Sequence, residues 1–334
     1  MEDEKQLILA NDTLNDIAPI MGAYIDISIG KENTFQVKVA RQKWQKEMTF
    51  GNVVYIKNTE YGGIIGEVDS DTSADEISLQ GFTWRGMLDK KVIHPPAGQD
   101  YRKVSGELNQ VIGTLISGQF GDYFVVSQAD TGVTVSNYQF DRYCTLLSGV
   151  VKMLKSVGYR LQIRYIQQEE GQPAYIELAA VQIDDLSQQI ELSQDSRLNF
   201  NFKNVKNGVN HLVCIGKGEL QDRQVINLYV QENGSIGTTQ YYTGLQEIAA
   251  TYEDTSSDSA ELQEKGAEKL QELMNHTEFS MDVASLDIDV EIGDIIGGRD
   301  YITGMYAAKP VGQKIYRIED GIESIEYELE GEDE

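Results

Sequence analysis

The first hundred residues alternate between apolar and polar positions with the two-residue period of half-buried β-strands. Apolar residues hold every second position at Ile25, Ile27, Ile29, Phe35, Val37 and Val39. Two further apolar runs, 53–56 and 64–68, flank the glycine-containing stretch 58–63, which predicts a hairpin. Another alternating stretch covers 77–82. His94-Pro95-Pro96-Ala97-Gly98 then predicts a domain boundary, because proline lacks a ladder donor and restricts the residue before it.

Between 99 and 195 the period of the apolar positions becomes helical. One helix is expected after a Ser105 cap, with apolar positions at Leu108, Val111, Ile112, Leu115 and Ile116. A second is expected near 139–157, ending at Gly158. Strict alternation over 159–165, a turn at 169–172 and the apolar residues Ile176 and Leu178 predict a hairpin after it. This segment reads as a small α+β unit.

The remaining chain is β-like again, with one helix inserted. The stretches 212–215 and 225–230 have strand character and are separated by a glycine-rich break. Asp258 and Glu261 form a capping-box pattern ahead of an apolar seam at Leu262, Gly266, Leu270 and Leu273, so a helix is predicted from 258 to 274. Leu286–Ile292 alternates, and Asp320-Gly321 predicts a tight turn between two strands.

These elements predict an α+β, β-rich fold in three domains. The first is a β domain over 1–98, the second the small α+β domain over 99–195, and the third a β domain over 196–334 with a helical insertion at about 249–279. A chain of 334 residues exceeds one ordinary core, which fits several compact units.

Charge narrows the range of partners. The net charge is −26, and it divides into −6 over residues 1–100, −3 over 101–200 and −17 over 201–334. A surface this negative repels phosphate backbones, which argues against specific DNA binding. The charge instead favours a surface along which DNA moves without binding. No apolar run approaches the roughly 20 residues of a membrane span. The acidic N-terminal sequence has no secretory-signal pattern, so we expect a protein made and used without Sec export.

Cysteine and histidine are scarce. Cys144 and Cys214 lie far apart without a C-x-x-C pattern, so free buried thiols are expected and a disulfide framework is not. The three histidines are His94, His211 and His276, and no nucleophile motif accompanies any of them. Histidine-dependent catalysis is therefore not expected, although triads assemble from distant positions.

Two kinds of cluster deserve a chemical interpretation. Asp287, Asp289 and Glu291 place three carboxylates on one strand face, the ligand type that calcium prefers, but no binding-loop pattern accompanies them. We interpret them as a solvated face. The glycine-basic stretches 216–218 and 297–299 lack the phosphate-loop pattern and are expected to be turns at strand ends. The sequence thus predicts no catalytic residue, no cofactor-binding residue and no metal ligand.

Three segments together resemble the tail hub (baseplate hub) proteins of siphophages, prophages and contractile tails. They are Ile77–Asp89, Asn210–Leu220 followed by Arg223, and Val290–Asp300, the last leading into the hairpin of 314–329. The segments follow the family's order, and the helix 258–274 lies where the family has one.

The resemblance implies two tail-tube-like β-barrel domains and a homotrimer. Two similar barrels in each of three chains present six quasi-equivalent contacts, so a threefold ring can cap a sixfold tube. The implied partners are the tail tube or distal tail protein, the tape measure protein, and the central spike or tail-tip protein, with a channel for DNA ejection. The implied location is the virion, at the tail tip or baseplate, after assembly in the host cytoplasm. Some relatives carry a further lytic domain after the second barrel, and because the sequence ends at Glu334 we expect none here.

Two alternative functions stay open at this point. The 18 tyrosines suit a carbohydrate-binding or adhesin-like β module, although tyrosine is also common in strands and interfaces. A hydrolase with a dispersed active site is the other alternative, since 54 acidic residues always offer carboxylate pairs.

Overall fold

The computed structural model describes residues 6–167, 173–187, 191–192, 199–282, 290–300 and 302–330. These residues divide into two compact units, unit 1 over 1–200 with 281–334 and unit 2 over 201–280. The four α-helices are α1 (Trp84–Asp89), α2 (Leu108–Ile116), α3 (Leu146–Lys155) and α4 (Ser259–Leu273).

The strands before the α+β part are β1 (Leu7–Ala10), β2 (Asp16–Pro19), β3 (Tyr24–Gly30), β4 (Thr34–Ala40), β5 (Val53–Ile56), β6 (Gly62–Asp69) and β7 (Glu76–Thr83). Those that follow are β8 (Lys103–Glu107), β9 (Phe124–Val126), β10 (Thr134–Gln139), β11 (Tyr159–Ile166), β12 (Tyr175–Gln182), β13 (Glu191–Leu192) and β14 (Asn199–Val205). The remainder are β15 (His211–Ile215), β16 (Val225–Val230), β17 (Ile236–Gly237), β18 (Ala249–Glu253), β19 (His276–Asp282), β20 (Ile295–Arg299), β21 (Tyr306–Glu319) and β22 (Ile322–Leu329).

The main sheet of unit 1 joins the first strands of the chain to the last. Its order is β13-β20-β21-β3-β4-β7-β6-β5-β1-β2, and β22 also pairs with β21. Strands β21 and β3 join the two ends of the sequence in this sheet, and they pair antiparallel with Tyr316 opposite Ile27. Strands from distant parts of this order share one apolar core, because Leu9, Ile27 and Tyr316 belong to the same buried cluster. The sheet therefore curves around that core.

A second core lies on the other side of β1 and β5. Tyr55 stacks on Tyr165 at 3.6 Å between ring centroids, and Trp84 packs nearby. Helices α2 and α3 complete this core together with the three-stranded sheet β11-β12-β9. Residues 84–182 thus pack on the main sheet as an α+β layer.

Unit 2 contains a four-stranded sheet, β17-β16-β15-β18, with α4 on one face, and most of β14 and β19, which pair with each other. Its core consists of Leu212, Cys214, Leu228, Val230, Leu262 and Leu270. The alternation in β15 explains why Leu212 and Cys214 belong to this core. They face the helix, while His211, Val213 and Ile215 face away.

Most local predictions agree with the structure, but the helix expected near 139–157 begins only at Leu146, and 134–139 form β10. The hairpins β5–β6, β11–β12 and β21–β22 form, and the last turns through Asp320 (φ 51°) and Gly321 (φ 78°) as an Asp-Gly signature requires. Helix α4 begins after its Asp258 cap. Helix α2 is present, but its cap is Glu107, which accepts from Gln110 N, rather than the expected Ser105. The expected strand at 286–292 falls largely outside the described residues.

The grouping of the chain differs from the expected three consecutive domains. The 196–334 stretch is not one unit, because only 201–280 forms unit 2 while β20, β21 and β22 join unit 1. The physical reason is that β21, near the end of the sequence, pairs with β3, near its start. Along the described strands the main sheet is open, with β2 and β13 at the two ends of its order and unpaired with each other.

Candidate functional site

A cleft in unit 1 opens beside the concave side of the main sheet. Its volume is about 2000 Å³, and it is lined from both ends of the strand order, by Leu7 and Ile20 on one side and Ile325 and Tyr327 on the other. Charged side chains also line it, among them the buried Glu60 and Lys314 and the half-buried Glu291. The cleft is thus bounded by strands and by both buried and exposed charges.

A buried ion pair lies at the inner end of this region. The guanidinium of Arg85, on α1, meets the carboxylate of Glu60, from the β5–β6 turn, and both side chains are less than a tenth exposed. Arg85 Nη2 also donates to the carbonyl of Leu161 on β11 at 2.8 Å. Burial raises the pKa of Glu60, and the charge of Arg85 opposes that rise. One guanidinium therefore connects three elements.

A second charged pair adjoins the first. Lys314 of β21, itself buried, lies 3.4 Å from the carboxylate of Glu291. Its ammonium is also 5.6 Å from the ring centroid of Tyr61 and 5.8 Å from that of Tyr327, within the range of cation–π attraction. The lysine is thus held by a carboxylate and two aromatic rings.

A third buried pair connects the α+β layer to the segment before β20. Arg160 Nε lies 2.7 Å from Asp294 Oδ1, and both side chains are less than a tenth exposed. The same carboxylate accepts from the backbone N–H of Asp184 and of Glu291, each at 3.1 Å. Asp294 therefore has its oxygens occupied by three donors, an arrangement that fixes neighbouring backbone in position rather than leaving a group poised to react.

The sequence candidates fall in separate places. Asp287 and Asp289 lie outside the described residues, and Glu291 is paired with Lys314. His94 contacts Tyr143 edge-on, and His276 Nδ1 lies 2.9 Å from the carbonyl of Met274. The structure brings none of the three histidines next to another.

His211 contacts side chains through both of its ring nitrogens. Its Nδ1 lies 2.6 Å from Glu247 Oε1, its Nε2 lies 2.9 Å from Asn227 Oδ1, and its ring stacks on Tyr229. The imidazole thus connects β15, β16 and the segment before β18.

Both thiols are free, as expected, but only Cys214 is buried, whereas Cys144 is half-buried. Burial raises the pKa of Cys144 and Cys214, which makes them poor nucleophiles. Across the described residues, no three His, Cys, Asp or Glu side chains are grouped as metal ligands would be.

The two glycine-basic stretches behave differently. Residues 216–218 form a turn after β15, as expected, with Gly218 at φ +105°. The expectation of a turn at 297–299 is wrong, because these residues lie inside β20. A side chain at Gly297 would begin 3.0 Å from the carbonyl oxygen of Ser187, so glycine serves close packing there and not a turn.

The buried charges were not singled out from the sequence, although a signal was present. Arg85 lies in the segment 77–89 and Asp294 in the segment 290–300, two of the three that carry the tail-hub resemblance. The sequence shows each charge beside apolar residues but not the partner that compensates it.

Among the described helices, none is long and apolar enough to cross a membrane.

Comparisons of the fold extend over nearly the whole chain. A 43 kDa tail protein of prophage MuSo2 from Shewanella oneidensis matches with a TM-score of 0.55 and 12% identity, over 97% of this chain and 98% of that one. A tail protein from Neisseria meningitidis matches at 0.50 and 13%, over 97% of both chains. A chain of the phage P2 baseplate in its activated conformation with Ca matches at 0.50 and 9%, over 99% and 100%.

No protein-family model and no curated protein sequence matches this chain. At identities this low the structural matches establish the fold alone, and the fold they share covers both units. The resemblance predicted from the sequence is therefore confirmed at the level of fold: the chain has the architecture of phage and prophage tail proteins.

Proposed function

We propose that this chain is a structural subunit of a phage-like baseplate, acting as the tail hub and performing no catalysis. The observation that carries the proposal is the fold match over 97–99% of this chain to tail and baseplate proteins. Its location is then the virion, at the tail tip or baseplate, after assembly in the host cytoplasm.

The charged cluster suits a structural role. Buried ion pairs add little net stability, because desolvation offsets most of their attraction, but they strongly disfavour arrangements that separate the partners. Arg85 and Arg160 each connect residues 84–182 to the rest of unit 1, Arg85 through Glu60 and Arg160 through Asp294. Such pairs favour a defined relation between the main sheet and the α+β layer, as a structural subunit requires.

The assembly we propose is a ring of three copies. Each copy contributes two tube-like β domains, and the curved main sheet of unit 1 supplies β structure for one of them. Six similar contacts then match a sixfold tail tube or distal tail protein on one side, with the spike or tail-tip protein on the other. The tape measure protein and the DNA use the channel between the copies.

The acidic charge fits this arrangement. With a net charge of −26, three copies place a large negative charge around any channel they form. Like-charge repulsion keeps DNA from adhering during ejection.

The assembly is tested by native mass spectrometry of the purified full chain, followed by negative-stain electron microscopy. A ring with the mass of three copies is the expected result, and adding the cognate tube or distal tail protein should place that ring at the end of a tube. A chain that stays monomeric in the presence of that protein contradicts the hub proposal. Turnover of peptidoglycan by the ring contradicts the non-catalytic part separately.

A further inference from the structure

The outer edge of β18 presents backbone groups to solvent. This strand lies at the end of the unit 2 sheet and runs parallel to β15, with Thr251 opposite Val213. No other strand in the described part of the chain pairs with it. An edge of this kind carries N–H and C=O groups in the spacing that another extended strand requires.

The hydrogen bonds to β15 show which residues face outward. His211 N donates to the carbonyl of Ile248 at 3.2 Å, and Asp254 N donates to the carbonyl of Ile215 at 2.9 Å. Backbone polar groups alternate in direction along a strand, so the even-numbered residues from 248 to 254 face β15. Ala249, Thr251 and Glu253 therefore direct their N–H and C=O groups outward.

This edge lacks the devices that usually prevent strand addition. Ala249–Tyr252 contains no lysine, no proline and no interruption of register. Edges in unit 1 are different: β2 is four residues long and ends at Pro19, and β22 alternates glutamates at 326 and 328 with buried residues. An unprotected edge of a sheet whose other strands are paired indicates a surface kept available for a partner strand.

Charge indicates what kind of strand fits. Residues 247–264 contain six acidic side chains, Glu247, Glu253, Asp254, Asp258, Glu261 and Glu264. Two nearby cations offset part of this charge, since Arg223 pairs with Glu253, and Lys265 pairs with Asp254 and Glu261. A second copy of this chain, with its net charge of −26, is disfavoured here by repulsion. A cationic segment is favoured by the same field.

The two faces of β18 refine the partner's pattern. Ala249, Thr251 and Glu253 are exposed and point to the face away from α4, whereas Ala250 and Tyr252 are half-buried on the helix side. An added strand presents its side chains to the same two faces in alternation. Basic residues then fit the open face beside Glu253, whose carboxylate pairs with Arg223 but is still 57% exposed. Apolar residues fit the face beside Tyr252.

We propose that the outer edge of β18 binds an extended segment of another polypeptide as an added strand, with lysine or arginine alternating with apolar residues. This goes beyond the hub role, since it assigns a binding site in unit 2 and the chemistry of its ligand, and it does not depend on the number of copies in the ring.

The probe for this site is a short synthetic peptide in which lysine alternates with valine, and its control alternates glutamate with valine. Fluorescence anisotropy of the labelled peptides against the full chain should show binding of the lysine peptide only. Amide hydrogen exchange should show Ala249, Thr251 and Glu253 exchanging fast in the free chain and slowly in the complex. The inward amides of Ala250 and Tyr252 should be slow in both.

The decisive variants are Thr251→Pro and Thr251→Val. Proline removes an outward donor while leaving the bonds to β15, so the fold persists and the lysine peptide binds at least tenfold more weakly. Valine keeps the donor and should bind as the unchanged chain does. A charge reversal, Glu253→Lys, is an independent test, because the variant chain should bind the glutamate peptide better, relative to the lysine peptide, than the unchanged chain does.

Three results overturn the proposal. They are the absence of binding by the lysine peptide, equal binding of both peptides, and binding unaffected by Thr251→Pro together with Glu253→Lys. Self-association of the chain through this edge, detected by light scattering and lost in Thr251→Pro, assigns the edge to a second copy and also overturns it.

Discussion

At the scale of single residues, two buried arginine side chains join parts of unit 1 that are far apart in sequence. Arg85 joins α1 to the β5–β6 turn and to β11, and Arg160 joins β11 to Asp294. Each of these charges is buried, so each depends on its partner to offset the cost of losing water. Loss of one partner leaves the other uncompensated.

We predict that Glu60→Gln lowers the free energy of unfolding by about 3–5 kcal/mol, because Arg85 then remains buried without a countercharge. The double variant Glu60→Leu with Arg85→Met should recover most of that loss. Chemical denaturation followed by tryptophan fluorescence measures both effects.

The matched control is the exposed pair of Lys152 and Asp141, whose side chains are 68% and 64% exposed. Asp141→Asn should cost less than about 1 kcal/mol, since water already solvates both charges. Equal losses at the buried and the exposed pair contradict the assigned role of burial.

At the scale of elements, α4 shows how packing overrides helix propensity. Gly266 lies mid-helix, where alanine is ordinarily more favourable by about 1 kcal/mol. A Cβ at this position would overlap Cys214 Sγ and lie 3.0 Å from Leu228 Cδ1. Glycine therefore lets the helix approach β15 and β16 closely.

Gly266→Ala is expected to destabilise unit 2 despite its better propensity, by about 1–3 kcal/mol, because the core is overpacked. Thermal unfolding followed by circular dichroism measures the change. Adding Cys214→Ala makes room for the new methyl group, so the double variant should be more stable than Gly266→Ala alone. Simple additivity of the two losses contradicts the packing explanation.

At the scale of the whole molecule, the net negative charge disfavours binding of other negatively charged molecules. The −17 over residues 201–334 exceeds the charge of the rest of the chain. Repulsion between like charges is screened over about 10 Å at 0.1 M salt, so its effects depend on ionic strength.

We expect the purified chain not to retard double-stranded DNA in a gel shift assay even at 20 mM salt, where a surface with basic patches binds most strongly. A basic DNA-binding protein run at the same salt serves as the positive control. Retardation of DNA that weakens as salt rises contradicts the proposal of a channel that DNA passes freely.

The sequence by itself determined the local elements. Apolar period, caps and turn residues act between neighbours a few positions apart, so α4 with its Asp258 cap and the hairpin turning at Asp320 and Gly321 followed from short stretches. The resemblance of three segments to tail hub proteins also led to the correct fold. The net charge of the chain, and with it the expectation that DNA does not adhere, comes from the sequence alone.

Tertiary structure alone decided which strands pair and which charges meet. Alternation in β21 predicts a strand but does not name β3 as its neighbour, because any half-buried strand presents the same pattern. The same holds for Glu60 and Arg85, since compensation of a buried charge depends on distance in space and not on spacing in sequence. The free edge of β18 has the same origin: an unpaired edge is a property of the sheet, and it exists only once the other strands have found their partners.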